Sequence, residues 1–210
     1  MATPALQFRD LRCVRGDRAV FGGLDLDIPA GRLLRVTGPN GAGKTSLLRM
    51  ICGLLLPARG EVRWHGQRID AVREDFHRHL VHLGHAAALK DDLTAGENLR
   101  AAARLSGLDP DAAEVESALA ASGLRGHTGL PVRSLSQGQR RRVALARLVL
   151  AKSNRLWVLD EPFNALDAAA SAWLVQLVIA QVRRGAVVVL TTHDAGLAWP
   201  ESLPQMELAL

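Results

Sequence analysis

The sequence predicts an α/β fold, in which helices cover a parallel sheet and an antiparallel strand layer lies near the N-terminus. In the later part of the chain, residues 156–159 and 187–190 are short runs of Leu, Trp and Val, and residues 168–184 between them have a helical pattern that ends before Gly185. This order is typical of a parallel sheet with helices on its faces. Residues 6–14 and 19–28 alternate around a turn at 15–18, which predicts an antiparallel pair of strands.

The other elements follow in order along the chain. A second turn at residues 29–31 precedes a short apolar strand at 32–37, and residues 43–52 form a helix that Gly53 ends. Residues 60–66 and 80–83 are predicted strands. Residues 94–126 have a helical pattern with a break at 107–110, and residues 136–151 form a long amphipathic helix. We therefore expect one domain of residues 1–210, with an inserted helical subdomain at about 94–151.

Composition narrows the class of protein. The 210 residues are 48% apolar and 22% charged, which is ordinary for one globular domain with a full core. The net charge of +5 favours an anionic partner such as a nucleotide, a nucleic acid or an anionic membrane face, and a solvated basic surface is the open alternative. The two cysteines, Cys13 and Cys52, have no metal-ligand spacing and indicate a reducing compartment.

We expect the chain to meet a membrane only through partners. The first ten residues contain no apolar core of signal-peptide length, because Arg9 and Asp10 interrupt it. The sequence has no run of 18 or more apolar residues, which is the length that a membrane-spanning helix needs. Any work at a membrane is therefore expected from the cytoplasmic side.

A phosphate-binding loop is the strongest local signal. Residues 38–45 read G-P-N-G-A-G-K-T and match G-x-x-x-x-G-K-[ST] at every position, between a predicted strand and a predicted helix. The backbone N–H groups of such a loop and the helix dipole hold phosphate oxygens, Lys44 reaches the β- and γ-phosphates, and the Thr45 hydroxyl is placed to ligate Mg²⁺. The expected nucleotide-binding residues are Gly38, Pro39, Asn40, Gly41, Ala42, Gly43, Lys44, Thr45 and Ser46.

A pair of acidic residues, Asp160 and Glu161, directly follows the apolar strand at 156–159. An aspartate at the end of a buried strand supplies the kind of oxygen ligand that Mg²⁺ needs opposite a phosphate loop. Glu161 is suitably placed to accept hydrogen bonds from an attacking water and to polarise it. The alternative is that Asp160 and Glu161 are ordinary solvent-exposed acidic residues at the end of a strand. The phosphate loop in the same chain makes this the weaker interpretation.

A third motif, L-S-Q-G-Q at residues 135–139, begins the helix of residues 136–151 and is followed by three arginines. Ser136 and Gln139 have the spacing of a capping box, and the arginines would then form a solvated helix face. A serine and a glycine at a helix N-terminus also favour an anion site. These residues alone leave both interpretations open.

The three motifs, in this order, resemble the ABC ATPase family, and the resemblance covers nearly the whole chain. It implies a P-loop NTPase (RecA-like) core with an N-terminal antiparallel β layer and an inserted α-helical subdomain. It also implies a dimer that sandwiches two ATP molecules, in which the signature loop of one cassette, with Ser136, Gly138 and Gln139, faces the phosphate loop of the other. Dimerisation on ATP and separation after hydrolysis then supply the mechanical stroke.

The same resemblance adds further site residues. Residues 164–167 match the D-loop, which brings in Asp167, and His193 matches the switch histidine that contacts the γ-phosphate. Glu161 and His193 are then the catalytic residues of an ATPase. Its cofactors are ATP and Mg²⁺, and Thr45 and Asp160 are the implied metal ligands.

The residue at one family position points to a particular subgroup. His85 stands where the family usually has a glutamine. Residues 83–85 (L-G-H), Lys90 and residues 93–99 (L-T-A-G-E-N-L) resemble the ATP-binding subunits of the haem exporter for c-type cytochrome biogenesis. The resemblance implies three partners: a second cassette, integral membrane subunits of the cytochrome c maturation complex, and a haem-handling protein. It implies a peripheral location on the cytoplasmic face of the inner membrane and no nucleic acid.

Two alternatives stay open at this point. A subunit of an ABC transporter for a different substrate would share all of the nucleotide chemistry. A soluble ABC ATPase acting on DNA or ribosomes would use the positive charge, but it should carry a coiled-coil insertion or two cassettes in one chain, and the sequence shows neither.

The chain departs from the subgroup pattern at several positions. Residues 86–87 are Ala-Ala where the subgroup has Gln-Pro, and Asn164 replaces a threonine. The chain has no tyrosine, and Arg15 stands at about the place of the aromatic that stacks on adenine, where its planar guanidinium can stack or can lie in solvent. Since a neutral imidazole is a poor ligand for Mg²⁺, we expect His85 to reach the metal through a water or to act mainly in coupling to the membrane partner.

Overall fold

A computed structural model of the chain describes residues 4–192 and 199–210. It comprises two compact units. The first, here called the sheet unit, is formed by Met1–His82, Asn154–Glu161 and Ile179–Leu210, and the second, here called the helical unit, by Leu83–Ser153 and Pro162–Val178.

An antiparallel sheet of four strands forms one layer of the sheet unit. Its order is β2-β1-β4-β5, where β1 is Leu6–Arg15, β2 is Arg18–Ile28, β4 is Arg59–Trp64 and β5 is Gln67–Arg68. Leu6 pairs with Ile28 on one side and with Trp64 on the other. The predicted hairpin around residues 15–18 and the predicted antiparallel layer are confirmed, and β5 is an element that the sequence did not predict.

A five-stranded sheet carries the strands that matter for the site. Its order is β6-β7-β8-β3-β9, where β3 is Leu33–Thr37, β6 is Leu80–Leu83, β7 is Leu156–Leu159, β8 is Val187–Thr191 and β9 is Gln205–Ala209. The pairs β7–β8, β8–β3 and β3–β9 are parallel. The predicted α/β class is confirmed, and β9 is an additional strand that the sequence did not predict.

Six α-helices lie within the described residues. They are α1 at Lys44–Ile51, α2 at Arg73–His79, α3 at Ala95–Arg104, α4 at Ala112–Ala121, α5 at Gln137–Leu150 and α6 at Ala168–Arg183. Thr94, Asp111 and Ser136 each begin a helix with a complete capping box, so the starts of α3, α4 and α5 are set by local hydrogen bonds. No described helix has the length and apolar content that a membrane crossing needs.

Each unit has its own apolar core. In the sheet unit, Leu47, Leu48 and Ile51 on α1 are fully buried in the same cluster as Val36 on β3 and Val158 on β7. Full burial of one such aliphatic side chain contributes roughly 1.5–3 kcal/mol. This packing holds the start of α1, and with it the loop that precedes α1, at the edge of the parallel sheet.

Candidate functional site

The carboxyl ends of three neighbouring parallel strands define where the site lies. The phosphate loop follows β3, Asp160 and Glu161 follow β7, and β8 lies between these two strands in the sheet. Ligands of open parallel sheets bind at this edge, because the loops that follow the strands meet there. His193, which the sequence places after β8, lies outside the described residues.

The phosphate loop needs glycine at specific positions. Gly38 and Gly43 have φ angles of +136° and +102°, in the region that side chains with a Cβ rarely adopt. A Cβ at Gly43 would lie 2.6 Å from Val20 Cγ1, and a Cβ at Gly38 would lie 2.6 Å from the carbonyl oxygen of Leu210. Both the backbone conformation and the close neighbours therefore exclude larger residues there.

Lys44 points its charge into this loop. The side chain is largely buried, and Nζ donates hydrogen bonds to the carbonyl oxygens of Gly38 (2.6 Å) and Pro39 (3.1 Å). Helix α1 begins at the same residue with no side-chain cap at Gly43, so its first N–H groups have no capping partner from that residue. An ammonium group and helix N–H groups at one place form a site for phosphate oxygens.

Asp160 and Glu161 share a hydrogen-bond partner that sequence reasoning missed. The Thr191 hydroxyl donates to Asp160 Oδ1 over 2.8 Å, and the backbone N–H of Glu161 donates to Thr191 Oγ1 over 2.8 Å. Asp160 is buried and Thr191 is fully buried. A hydroxyl in an otherwise aliphatic buried strand must find partners, and this signal in β8 was available in the sequence.

A cleft of about 320 Å³ in the sheet unit brings several predicted residues together. Arg15 and Glu161 both line it, together with residues of the phosphate loop. Val20 and Arg49 also line it and were not predicted. The full lining is Arg15, Val20, Asn40, Gly41, Gly43, Lys44, Thr45, Ser46, Arg49 and Glu161.

The donor types at this edge fit a magnesium ion. Thr45 contributes a hydroxyl and Asp160 a carboxylate, which are the oxygen ligands that Mg²⁺ prefers alongside substrate phosphates. The described residues contain no cluster of three or more His, Cys, Asp or Glu side chains that would hold a metal by themselves.

Cys52 is close enough to the site to respond to its charge. Burial raises the pKa of the Cys52 thiol strongly, and the negative charge of Asp160 raises that pKa further. The thiol is therefore protonated at neutral pH and is not a nucleophile. Cys52 directly follows the last residue of α1 and packs in the core of the sheet unit as a small apolar group.

In the helical unit, the signature motif forms the beginning of α5. Ser136 Oγ accepts a hydrogen bond from the Gln139 N–H (3.2 Å), and the Ser136 N–H donates to Gln139 Oε1 (2.9 Å). Gln139 Nε2 also lies 3.3 Å from His127 Nε2. The predicted capping box is therefore present, but the arginines that follow it do not form a solvated helix face, because Arg141 is buried.

The signature motif approaches the D-loop within the same unit. A Cβ at Gly138 would lie 2.9 Å from the carbonyl oxygen of Ala165, and Ala165 itself has a φ angle of +62°. Asp167 begins α6, where its Oδ1 accepts a hydrogen bond from the Ala170 N–H (2.7 Å). Gly138 thus permits a close contact between two segments that both match family motifs.

His85 lies on a second cleft of about 400 Å³, which the helical unit forms by itself. Arg140, Arg141 and Asn164 line the same cleft. The buried Arg141 donates from Nη1 to the carbonyl oxygens of Gly84 (3.2 Å) and His85 (3.1 Å), which fixes the loop that carries His85 to helix α5. The role of Arg141 as the anchor of this loop was not predicted.

The predicted site residues thus form two groups. The sheet unit brings together Arg15, Gly38, Pro39, Asn40, Gly41, Ala42, Gly43, Lys44, Thr45, Ser46, Asp160 and Glu161. The helical unit carries His85, Ser136, Gly138, Gln139 and Asp167.

Comparison with known proteins shows the family. Residues 21–164, more than half of the chain, match the family model described as ABC transporter. The chain belongs to the ABC transporter family, as the order of its motifs predicted. A solved structure from Pyrococcus furiosus, described as an ABC transporter ATP-binding protein, has a TM-score of 0.81 and is 26% identical, over 97% of this chain and 96% of that chain.

Curated relatives within this family are similar over nearly their whole length. The cytochrome c biogenesis ATP-binding export protein CcmA of Aromatoleum aromaticum is 53% identical over 203 residues, which cover 96% of this chain and 95% of that protein. The protein of the same name from Nitrosospira multiformis is 48% identical over 191 residues, which cover 91% of this chain and 92% of that protein. The predicted resemblance to the cytochrome c biogenesis subgroup is confirmed.

Proposed function

We propose that this chain is the ATP-hydrolysing subunit of an ABC complex that drives haem export or delivery for c-type cytochrome biogenesis. One observation carries the proposal: a complete phosphate loop and the Asp160–Glu161 pair line one edge of a parallel sheet in a chain 53% identical to a cytochrome c biogenesis ATP-binding export protein. We infer one ATP-binding domain of residues 1–210, with a helical subdomain at about residues 94–151.

ATP would bind with its phosphates in the loop of residues 38–46. Lys44 already directs its ammonium group into that loop, and the N–H groups at the start of α1 add donors. Thr45 and Asp160 would hold Mg²⁺, which when bound neutralises the charge of the phosphates. The close neighbours of Gly38 and Gly43 leave no room for a Cβ at either position of this loop.

Glu161 is the proposed group that orients and polarises the attacking water. It lines the same cleft as Lys44 and Thr45, which supports a role for Glu161 beside the γ-phosphate. A carboxylate there can accept the hydrogen bonds of a water and hold it in line for attack. His193 is the second proposed catalytic residue, as a contact to the γ-phosphate.

Arg15 is the proposed platform for the adenine ring. Arg15 is exposed and is one of the residues that line the cleft, which supports this role. A planar guanidinium stacks on aromatic rings, although it offers less apolar area than tyrosine. Val20, which lines the same cleft, can add apolar contact to the base.

A second copy of the chain would complete each nucleotide site. Ser136, Gly138 and Gln139 at the start of α5, together with Asp167, are proposed to contact the nucleotide held by the phosphate loop of the other copy. The N-terminus of the 14-residue helix α5 favours the negative charge of a γ-phosphate. Two nucleotides would then lie between two cassettes.

The cleft beside His85 is the proposed coupling region for integral membrane subunits. His85 is exposed, and the carbonyl bonds from Arg141 hold its loop to the helix that begins with the signature motif. The His85 side chain would reach Mg²⁺ through a water or act through this loop. If His85→Gln leaves both ATPase activity and cytochrome c assembly unchanged, this role is wrong.

Co-purification tests the assignment to cytochrome c biogenesis. The tagged chain would be isolated from solubilised inner membranes, the proteins that co-purify identified by mass spectrometry, and haem measured in the eluate. We expect cytochrome c maturation membrane proteins, a haem-handling protein and haem, in line with a peripheral location on the cytoplasmic face. Recovery of an unrelated permease without haem would support a transporter for a different substrate.

A further inference from the structure

The hydroxyl of Thr191 joins the two acidic residues of the site. It donates to the carboxylate of Asp160 and accepts from the backbone N–H of Glu161, each over 2.8 Å. A threonine hydroxyl has one hydrogen to give, so this geometry fixes its direction. The side chain is fully buried at the carboxyl end of β8, where water cannot replace either bond.

Glu161 needs this support because its backbone is strained. Its φ angle is +47°, in the left-handed region that residues with a Cβ rarely adopt. Strained residues persist where the surroundings hold them, and the bond from the Glu161 N–H to β8 is one such constraint. Substitution of Thr191 should therefore change the orientation of the Glu161 side chain.

We propose that Thr191 is a positioning residue that sets both the metal-facing carboxylate of Asp160 and the water-polarising carboxylate of Glu161 through one hydroxyl. This inference rests on the proposed function, because it needs those two roles. Removal of a hydrogen-bond partner from a metal-ligating side chain typically lowers metal affinity or activity by about 10–100-fold. The same hydroxyl holds Glu161, so the Mg²⁺ requirement and the rate should change together.

Substitution of Thr191 by valine and by serine separates this role from packing. Thr191→Val keeps the shape and removes the hydroxyl, whereas Thr191→Ser keeps the hydroxyl and removes a methyl group. Thr128→Val is the matched control, since none of the described residues forms a hydrogen bond with the buried Thr128 hydroxyl. Thr191→Cys keeps the size with a much weaker donor, and serves if the valine variant does not fold.

The experiment measures ATP hydrolysis by the purified complex against Mg²⁺ concentration, together with binding of a fluorescent nucleotide without Mg²⁺. For Thr191→Val we expect kcat to fall by about 10–100-fold and the half-saturating Mg²⁺ concentration to rise by about tenfold. Nucleotide binding without Mg²⁺ should stay within about twofold, because the phosphate loop is untouched. Thr191→Ser should recover most of the rate, Thr191→Cys should fall between serine and valine, and Thr128→Val should match the wild type.

Two results would overturn the inference. One is a Thr191→Val enzyme with the wild-type kcat and Mg²⁺ dependence, even if its melting temperature is lower. The other is a serine variant as impaired as the valine variant, which would assign the effect to packing. If the wild-type complex does not hydrolyse ATP, the proposed function is wrong, and the proposed role of Thr191 is then wrong as well.

Discussion

Lys44 Nζ donates a 2.6 Å hydrogen bond to the carbonyl oxygen of Gly38, so the lysine bridges the two ends of the loop that contains it. The lysine is largely buried, and its ammonium group also donates to the carbonyl oxygen of Pro39 over 3.1 Å. This places a positive charge in the loop before any ligand binds. The consequences for ATP binding can be tested directly.

Lys44→Ala should abolish ATP binding. Hydrogen bonds to charged groups contribute roughly 1.5–3 kcal/mol each, so loss of the ammonium group should weaken ATP affinity by at least about 100-fold. Equilibrium binding of a fluorescent ATP analogue measures this. Lys152→Ala changes an exposed lysine that is outside the cleft lining and should bind like the wild type. Retained affinity in the Lys44 variant would exclude phosphate contact by this residue.

Glu161→Gln should separate binding from hydrolysis. The amide keeps the size of the side chain but cannot accept a proton or polarise water as a carboxylate does, so kcat should fall by about 100-fold or more. ATP binding should persist, and the dimer should accumulate in its closed state. Size-exclusion chromatography with light scattering in ATP, together with phosphate release, checks both expectations. A fully active variant would remove Glu161 from the catalytic role.

Gly43→Ala should impair both stability and ATP binding. A Cβ there is strained at a φ angle of +102° and would lie 2.6 Å from Val20. Gly107→Ala is the matched control, because its φ angle of +78° is also left-handed, no described atom lies within 4 Å of the added Cβ, and Gly107 is not among the residues that line the cleft. Strain alone costs about 1–3 kcal/mol of unfolding free energy. Thermal unfolding should show a larger loss for Gly43→Ala, and only this variant should lose ATP affinity.

Ser136→Ala tests whether the signature loop acts beyond capping its helix. Loss of an N-cap costs about 1 kcal/mol, and Asp111→Ala removes the equivalent cap of α4, which has no proposed site role. The two variants should lose similar unfolding free energy in denaturant titrations. Only Ser136→Ala should weaken ATP-dependent dimerisation. Equal dimerisation in both variants would reduce Ser136 to a capping residue.

Arg15 offers a test of how the base is held. Arg15→Tyr should keep or improve ATP affinity, since tyrosine supplies a larger stacking face, whereas Arg15→Ala should weaken affinity by about 3–30-fold, as expected for loss of a stacking contact of roughly 0.5–2 kcal/mol. Arg18→Ala, in the same hairpin but outside the cleft lining, is the control. If Arg15→Ala and Arg18→Ala bind ATP equally well, Arg15 is a solvent-facing turn residue.

Most of the fold was predictable because its elements have strong local signals. The strands β7 and β8 are uninterrupted apolar runs, and the breaks at Gly53 and around Gly107 coincide with helix ends in the structure. Helix α2 escaped prediction because only Phe76 among its seven residues is buried, so no apolar periodicity marks it. Strand β9 is five residues long, and its place beside β3 depends on pairing that no local pattern specifies.

The site residues that belong to contiguous sequence motifs were predictable, whereas the contacts between residues far apart in the sequence were not. Residues 38–45 and Asp160–Glu161 are contiguous in sequence, so their chemistry could be predicted directly. Thr191 lies 30 residues from Glu161, and Arg141 lies 56 residues from His85, so those hydrogen bonds appear only after folding. The side-chain types gave hints, because a buried hydroxyl and a buried guanidinium both need partners.

Complementation is the most direct test of the central claim. A bacterium that lacks its own ATP-binding subunit for cytochrome c biogenesis would express this chain or its Lys44→Ala variant, and covalently bound haem in c-type cytochromes would be measured in gels. We expect restored c-type cytochromes with the wild-type chain and none with the Lys44 variant at equal protein levels. A wild-type chain that hydrolyses ATP but restores no c-type cytochromes would contradict the haem assignment, and restoration by the Lys44 variant would contradict the need for ATP.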